Sequence, residues 1–198
     1  MAPHSGKLIT KRPRWYSRRR MRQMSREEFY AHLREHAGEF IAIPLDGGFA
    51  YARHREKLNF AFYDLKTPEL ASIAEIKQRP ILFTIGSPPD PLASKRWKVI
   101  GHEPLEPPLR EPVKYFRHPQ GTEFLDIYVE GRFQPYAGED LSKLEPLASW
   151  DRADQIEDRL RKHFAGERDD HIERSKVPRE LAERLCREYW ARQAEEKP

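Results

Sequence analysis

What this chain of 198 residues has little of bounds what it can be. There is one cysteine, Cys186, so no disulfide can form within the chain, and a reducing compartment is expected. No apolar run comes near the ~20 residues that a membrane-crossing helix needs. The opening MAPHSGKLITKRPRW contains no apolar segment of the secretory type. The expectation is a cytoplasmic protein without a membrane partner. Acid is missing from one place only: residues 1–25 hold Lys7, Lys11, Arg12, Arg14, Arg18, Arg19, Arg20 and Arg22 and no carboxylate. The whole chain carries +4, so those eight cations leave −4 for the remainder. The basic character belongs to a tail, and the body is mildly acidic. Such an arm, through Arg12, Arg14, Arg18, Arg19, Arg20 and Arg22, can bind nucleic acid by releasing counterions. No nucleic-acid-reading module accompanies it, which makes that an alternative rather than the main expectation.

What is present is a sheet-forming centre, GEFIAIPLDGGFAYARHREKLNFAFYDL, from Gly38 to Leu65. Glu39–Leu45 is apolar on both faces, Phe49–Arg55 alternates, and Leu58–Leu65 places Leu58, Phe60 and Phe62 on one side. Asp46-Gly47-Gly48 is a hairpin signal, because glycine supplies the positive φ of tight turns. Ala42, Ala50, Ala52 and Ala61 leave room for another layer to approach.

Ahead of this centre, Ser25 and Glu28 have the spacing of a capping box, which predicts a helix over Ser25–Ala37 with Gly38 as its C′ residue. After it, Thr67-Pro68 predicts a second short helix, Ile81–Ile85 a buried strand, and Trp97–Ile100 another. Glu103–Pro112 is too rich in proline for a central strand. Further strands follow at Tyr115-Phe116, Phe124–Val129 and Arg132–Tyr136. Trp150–Phe164 then reads as a helix, Arg168–Lys176 as a charged linker, and Pro178 opens a last amphipathic helix. Strands first and helices last predict an α+β fold. Its sheet is largely antiparallel, twisted or barrel-like, with helices packed at the N- and C-terminal ends. The expected organisation is an arm over 1–24, one domain over 25–166, and a linker with helix over 167–198.

Chemistry is thinly marked. His32-Leu33-Arg34-Glu35-His36 matches H-x-x-E-H, in which two histidines one turn apart on a helix can hold zinc and the glutamate can serve as base. The competing reading places His32, Glu35 and His36 on the solvated face of an amphipathic helix. There is no G-x-S-x-G elbow and no phosphate-binding loop, and no cofactor is implied. Cys186 reads as a small residue beside an apolar stripe, and Tyr51, Trp97 and Trp150 as core.

The segments GEFIAIPLDGGFAYAR, RPILFTIG, RWKVIGHEPL and SWDRADQIEDRLRKHF resemble, in that order, the immunity protein 26 family of bacterial polymorphic toxin systems. Ala52 stands where that family often has glycine. The resemblance implies a non-enzymatic inhibitor that binds and neutralises a cognate protein toxin. The same family is also labelled small phosphotriesterase-like, which implies a metal-dependent hydrolase as the alternative. An acidic body suits a cationic toxin. The carboxylates expected to meet it are Glu139 and Asp140 in the loop after Tyr136, and Asp151, Asp154, Glu157 and Asp158 on the outer face of the Trp150–Phe164 helix.

Overall fold

Glycine at 47 turns the chain with φ +75°, and Leu45 pairs directly with Gly48 across the two-residue Asp46-Gly47 loop. Around this hairpin the computed structural model builds its larger sheet. It describes residues 25–57, 59–86, 96–119, 121–147 and 152–195. The basic arm, Trp150 and Asp151 lie outside the described residues. The chain divides into two compact units, one of residues 1–111 and 150–164, the other of residues 112–149 and 165–198. This division runs through the 25–166 segment expected as one domain.

The first unit begins with α1 (Arg26–Glu35), closed at its start by the capping box: Ser25 N–H donates to Glu28 Oε2 at 2.7 Å, and Glu28 N–H to Ser25 Oγ at 3.2 Å. Its strands are β1 (Glu39–Leu45), β2 (Gly48–His54), β3 (Asn59–Thr67), β4 (Ile81–Gly86) and β5 (Lys98–His102). Their order is β4-β3-β2-β1-β5, and every pairing is antiparallel. The fold is α+β as expected, but the sheet is open: β4 and β5 are separate edges, so the barrel-like alternative is corrected. Gly38 sits one residue beyond the C′ position, and its backbone approach explains it. A Cβ there would lie 2.1 Å from the Glu103 carbonyl oxygen.

The helix expected from Thr67-Pro68 starts later, as α2 (Ile73–Lys77), because β3 runs on to Thr67 and pairs it with Phe49. The Tyr51 hydroxyl organises the intervening turn. It accepts from Ala71 N–H at 2.8 Å and lies 2.6 Å from Thr67 Oγ1, which donates to the Glu69 carbonyl at 2.5 Å. One sheet face then buries Phe40, Ala42, Tyr51, Tyr63 and Leu65 against Ile76.

The same side carries Arg53, fully buried, with its guanidinium 4.4 Å from the Phe40 ring centroid. It ion-pairs with Glu106 and donates to the carbonyls of Glu103 and Pro104 at 2.9 and 2.7 Å. Arg55 donates to those of Leu109 and Glu111 at 3.0 and 2.7 Å. The proline-rich crossing, which contains α3 (Pro107–Arg110), cannot pair as a strand, so two arginines satisfy its carbonyls instead.

The opposite face is aromatic. Phe62 stacks on Phe83 at 4.8 Å, and the buried Trp97 indole stands edge-on to Phe60 and Phe62. Across it lies α4 (Ala153–Ala165), with Ile156 and Leu160 buried and Arg159 3.7 Å above the Phe83 ring.

The second unit has a sheet of β6 (Lys114–Arg117), β7 (Asp126–Val129), β8 (Arg132–Pro135) and β9 (Glu145–Pro146), in the order β8-β7-β6-β9. β9 pairs parallel to β6, the one departure from the antiparallel expectation in the described strands. Its helices are α5 (Asp170–Ser175), within the stretch expected as a linker, and α6 (Arg179–Glu195). Phe116, Leu125, Ile127, Tyr136 and Ala182 form its core, with Leu185 and Cys186 packed against them.

Candidate functional site

Of the zinc-like motif, the side chains of Glu35 and His36 are described. Helix α1 ends at Glu35, which faces solvent. His36 caps it and turns its Nδ1 onto Glu39 Oε1 at 2.7 Å. The His32 side chain lies outside what the structure describes. Among the described residues, no three His, Cys, Asp or Glu side chains gather as a metal site. Glu35 and His36 stand at the helix end, and a zinc site that includes His32 rests on a side chain outside the described residues.

The acids of α4 separate by helical phase. Asp154 is held by Arg152, whose Nε lies 3.0 Å from Oδ1, and this hydrogen bond pulls its pKa below the ordinary carboxylate value. Asp158 pairs with Lys162 at 2.8 Å. Both remain on the solvent side. Glu157 does not: it is 1% exposed, accepts from Trp97 Nε1 at 2.9 Å and pairs with Arg96. Its expected place on the outer face is corrected, because it lies next to the inward Ile156 and Leu160 and is aimed at Trp97.

Glu139 and Asp140 meet in the second unit, at a cleft of about 690 Å3 between the loop after β8 and helix α6. Tyr136, Leu141 and Val177 give it an apolar floor, and Glu183, Arg179 and Arg187 line the helix side. The loop is tightly set. Tyr136 O–H donates to the Glu139 carbonyl at 3.1 Å, while the Glu139 carboxylate accepts from Ala137 N–H at 3.0 Å. Cys186 Sγ and Trp190 Nε1 both reach the Ala137 carbonyl, at 3.5 and 3.0 Å. Gly138, at φ +107°, leaves no room for a Cβ, which would stand 2.9 Å from Cys186 Sγ.

Asp140 accepts from the Ser142 hydroxyl at 2.6 Å and backbone N–H at 3.1 Å, and pairs with Lys143 at 2.9 Å. These donors, the Ser142 hydroxyl foremost, pull its pKa from 3.8 to about 2. The carboxylate stays ionised at any physiological pH. What the cleft offers is an apolar floor rimmed by charges of both signs, Glu139, Asp140 and Glu183 against Arg179 and Arg187, suited to an amphipathic protein side chain.

The family model described as Immunity protein 26 matches residues 36–122. That segment, less than half of the chain, is similar to the immunity protein 26 family. It spans β1 to β6, the larger sheet of the first unit and the first strand of the second. The SWDRADQIEDRLRKHF helix and the cleft lie beyond the matched residues. No curated protein and no solved structure matches the chain.

Two features had no sequence signal strong enough to find them. Arg53 and Arg55 alternate with apolar residues as an exposed strand face would, yet they are buried as donors to the proline-rich crossing. Arg117 inserts between two phenylalanines, Phe124 and Phe133, that come from different stretches of chain.

Proposed function

We propose that the chain is an immunity protein which binds a cognate toxin without chemistry and so neutralises it in the cytoplasm. The family match over residues 36–122 carries this reading. The distribution of charge supports it: the second unit holds fifteen acidic and twelve basic residues. An acidic surface speeds encounter with a basic partner and makes association sensitive to salt. Glu139 and Asp140 are the proposed contact acids of the second unit, and Asp154 and Asp158 those of the first. Glu157, held by Trp97 and Arg96, acts in folding instead.

The test is a calorimetric titration of the full chain with the inactivated C-terminal domain of the polypeptide encoded immediately upstream. Tight one-to-one binding that weakens with added salt is expected. Reversal of Glu139 and Asp140 to lysine, and separately of Asp154 and Asp158, should each slow association. Absence of binding by the unaltered chain would overturn the reading.

A further inference from the structure

His54 closes β2 with its side chain fully buried and its ring stacked on Phe60 of β3, 4.8 Å between centroids. Both ring nitrogens meet backbone carbonyls. Nδ1 lies 3.1 Å from the His36 carbonyl at the end of α1, and Nε2 lies 2.7 Å from the Lys57 carbonyl in the turn between β2 and β3. One imidazole therefore bridges two bends of the chain. The backbone runs alongside the link: Gly38 N–H donates to the His54 carbonyl and Arg55 N–H to that of Asn59, both at 2.8 Å. Lys57 holds φ +61°, a setting that costs a residue with a Cβ, and its carbonyl is fixed by the ring.

Two carbonyls and one ring set a choice of protonation. A neutral imidazole donates through one nitrogen only, whereas the cation donates through both. The His36 carbonyl already accepts Glu39 N–H at 3.2 Å. A neutral ring with its proton on Nε2 thus satisfies Lys57 and leaves neither carbonyl without a donor. The charged form is favoured by Glu39 of β1 and by the partial negative charge at the end of α1. His36 opposes it, as do the neighbouring cations Arg55 and Lys57. His102 of β5 reaches the same bend, its Nε2 3.0 Å from the Ala37 carbonyl. Glu39 is engaged by His36 Nδ1 at 2.7 Å, and with both ring nitrogens on carbonyls no carboxylate is bonded to the His54 ring. A fully buried cation without a bonded counter-ion loses more hydration than a helix end and a neighbouring carboxylate return. Burial accordingly pulls the His54 pKa below its ordinary 6.5, against the pull of the two carbonyls and Glu39.

We infer that His54 is an acid-sensitive clasp: neutral, it joins the end of α1 to the β2–β3 turn, and its protonation opens both bends so that water reaches the imidazolium. The sign follows from linkage. A histidine whose folded pKa is lowered contributes its full stability above pH ~6.5, and that contribution is lost as pH falls below it. One proton taken up on opening raises the opening equilibrium by up to about tenfold per unit of pH.

The experiment follows the full chain by NMR. The His54 ring should carry a proton on Nε2 alone at pH 7.5 and titrate with a midpoint below 6.5. Exchange of the Gly38 and Arg55 amides, corrected for its intrinsic dependence on pH, should quicken about fivefold or more between pH 7.5 and pH 5. In His54→Gln, whose amide donates to Lys57 without titrating, that acid dependence should be gone. A ring charged at pH 7.5, a midpoint at or above 6.5, or exchange indifferent to acid in the parent would overturn the clasp. The same acid dependence in His54→Gln would assign it to His36 or His102 and overturn the clasp too. If that variant does not fold, the ring titration and the amide exchange of the parent decide without it.

Discussion

The indole N–H of Trp97 donates to Glu157 Oε1 at 2.9 Å, joining two residues sixty positions apart. The other carboxylate oxygen takes Arg96, and Arg161, one turn along the helix, stands 3.5 Å away. This one carboxylate anchors α4 to the aromatic face of the sheet at the point where β5 begins.

Its removal should therefore be felt as instability rather than as weaker binding. Glu157→Leu leaves a buried indole N–H without an acceptor, at a cost of ~1–3 kcal/mol. Glu157→Gln keeps an acceptor for Trp97 and should lose clearly less. The check is urea unfolding of the full chain followed by circular dichroism. Equal stability of the Leu variant and the parent would show that the contact is not maintained in solution.

Why the inward turn of Glu157 is illegible in the sequence, while the solvent side of Asp154 and Asp158 is legible, is a matter of distance along the chain. The stripe Ile156, Leu160, Phe164 sets the helix phase, and a glutamate next to Ile156 falls near the stripe's border. Only Trp97, contributed by another element, decides that it turns inward. The same distinction runs through the fold. The hairpin of β1 and β2 and the capping box at Ser25 and Glu28 are local, and they appear as written. The parallel pairing of β9 with β6 joins distant stretches and has no local signature. On α6, Glu183 takes Arg179 at 2.7 Å, and Arg184 reaches Glu123 in another stretch of chain at 3.0 Å. Surface pairs of this kind differ by only a few tenths of a kcal/mol, so the neighbouring loop decides among them.

Arg53 yields a second prediction, and an asymmetric one. Arg53→Met fills much of the volume and leaves Glu106 beside Lys77, which holds it at 3.0 Å on the solvent side. The loss is then three hydrogen bonds to the crossing, ~2–4 kcal/mol in all. Glu106→Gln, although it alters a residue at the surface, strips the buried guanidinium of its only carboxylate partner among the described residues. It should cost ~3 kcal/mol, more than an exposed position ordinarily does. Unfolding of both variants in urea checks this; a neutral Glu106→Gln would mean that the Glu103 and Pro104 carbonyls suffice for the cation.

Asp140 supplies a pH dependence whose sign can be worked out. Its folded pKa, about 2, lies below the ordinary 3.8, chiefly because the Ser142 hydroxyl donates to the carboxylate, with Lys143 next. A carboxylate with a depressed folded pKa favours the folded loop fully above pH ~3.8, and that contribution disappears as pH falls through ~2. Carbon-detected NMR titration of the Asp140 carboxyl should find a midpoint near 2, and Ser142→Ala should move it up toward 3.8. A midpoint near 3.8 in the parent chain would show that the Ser142 contact does not persist. The consequence for recognition follows from the same number. From pH 8 down to pH 5 the charge at Asp140 does not change, so any contribution of this residue to partner binding should depend on salt and not on pH. The Asp140→Asn variant isolates that contribution: its partner affinity should lose part of the parent's salt dependence while the pH profile over that range stays as it was.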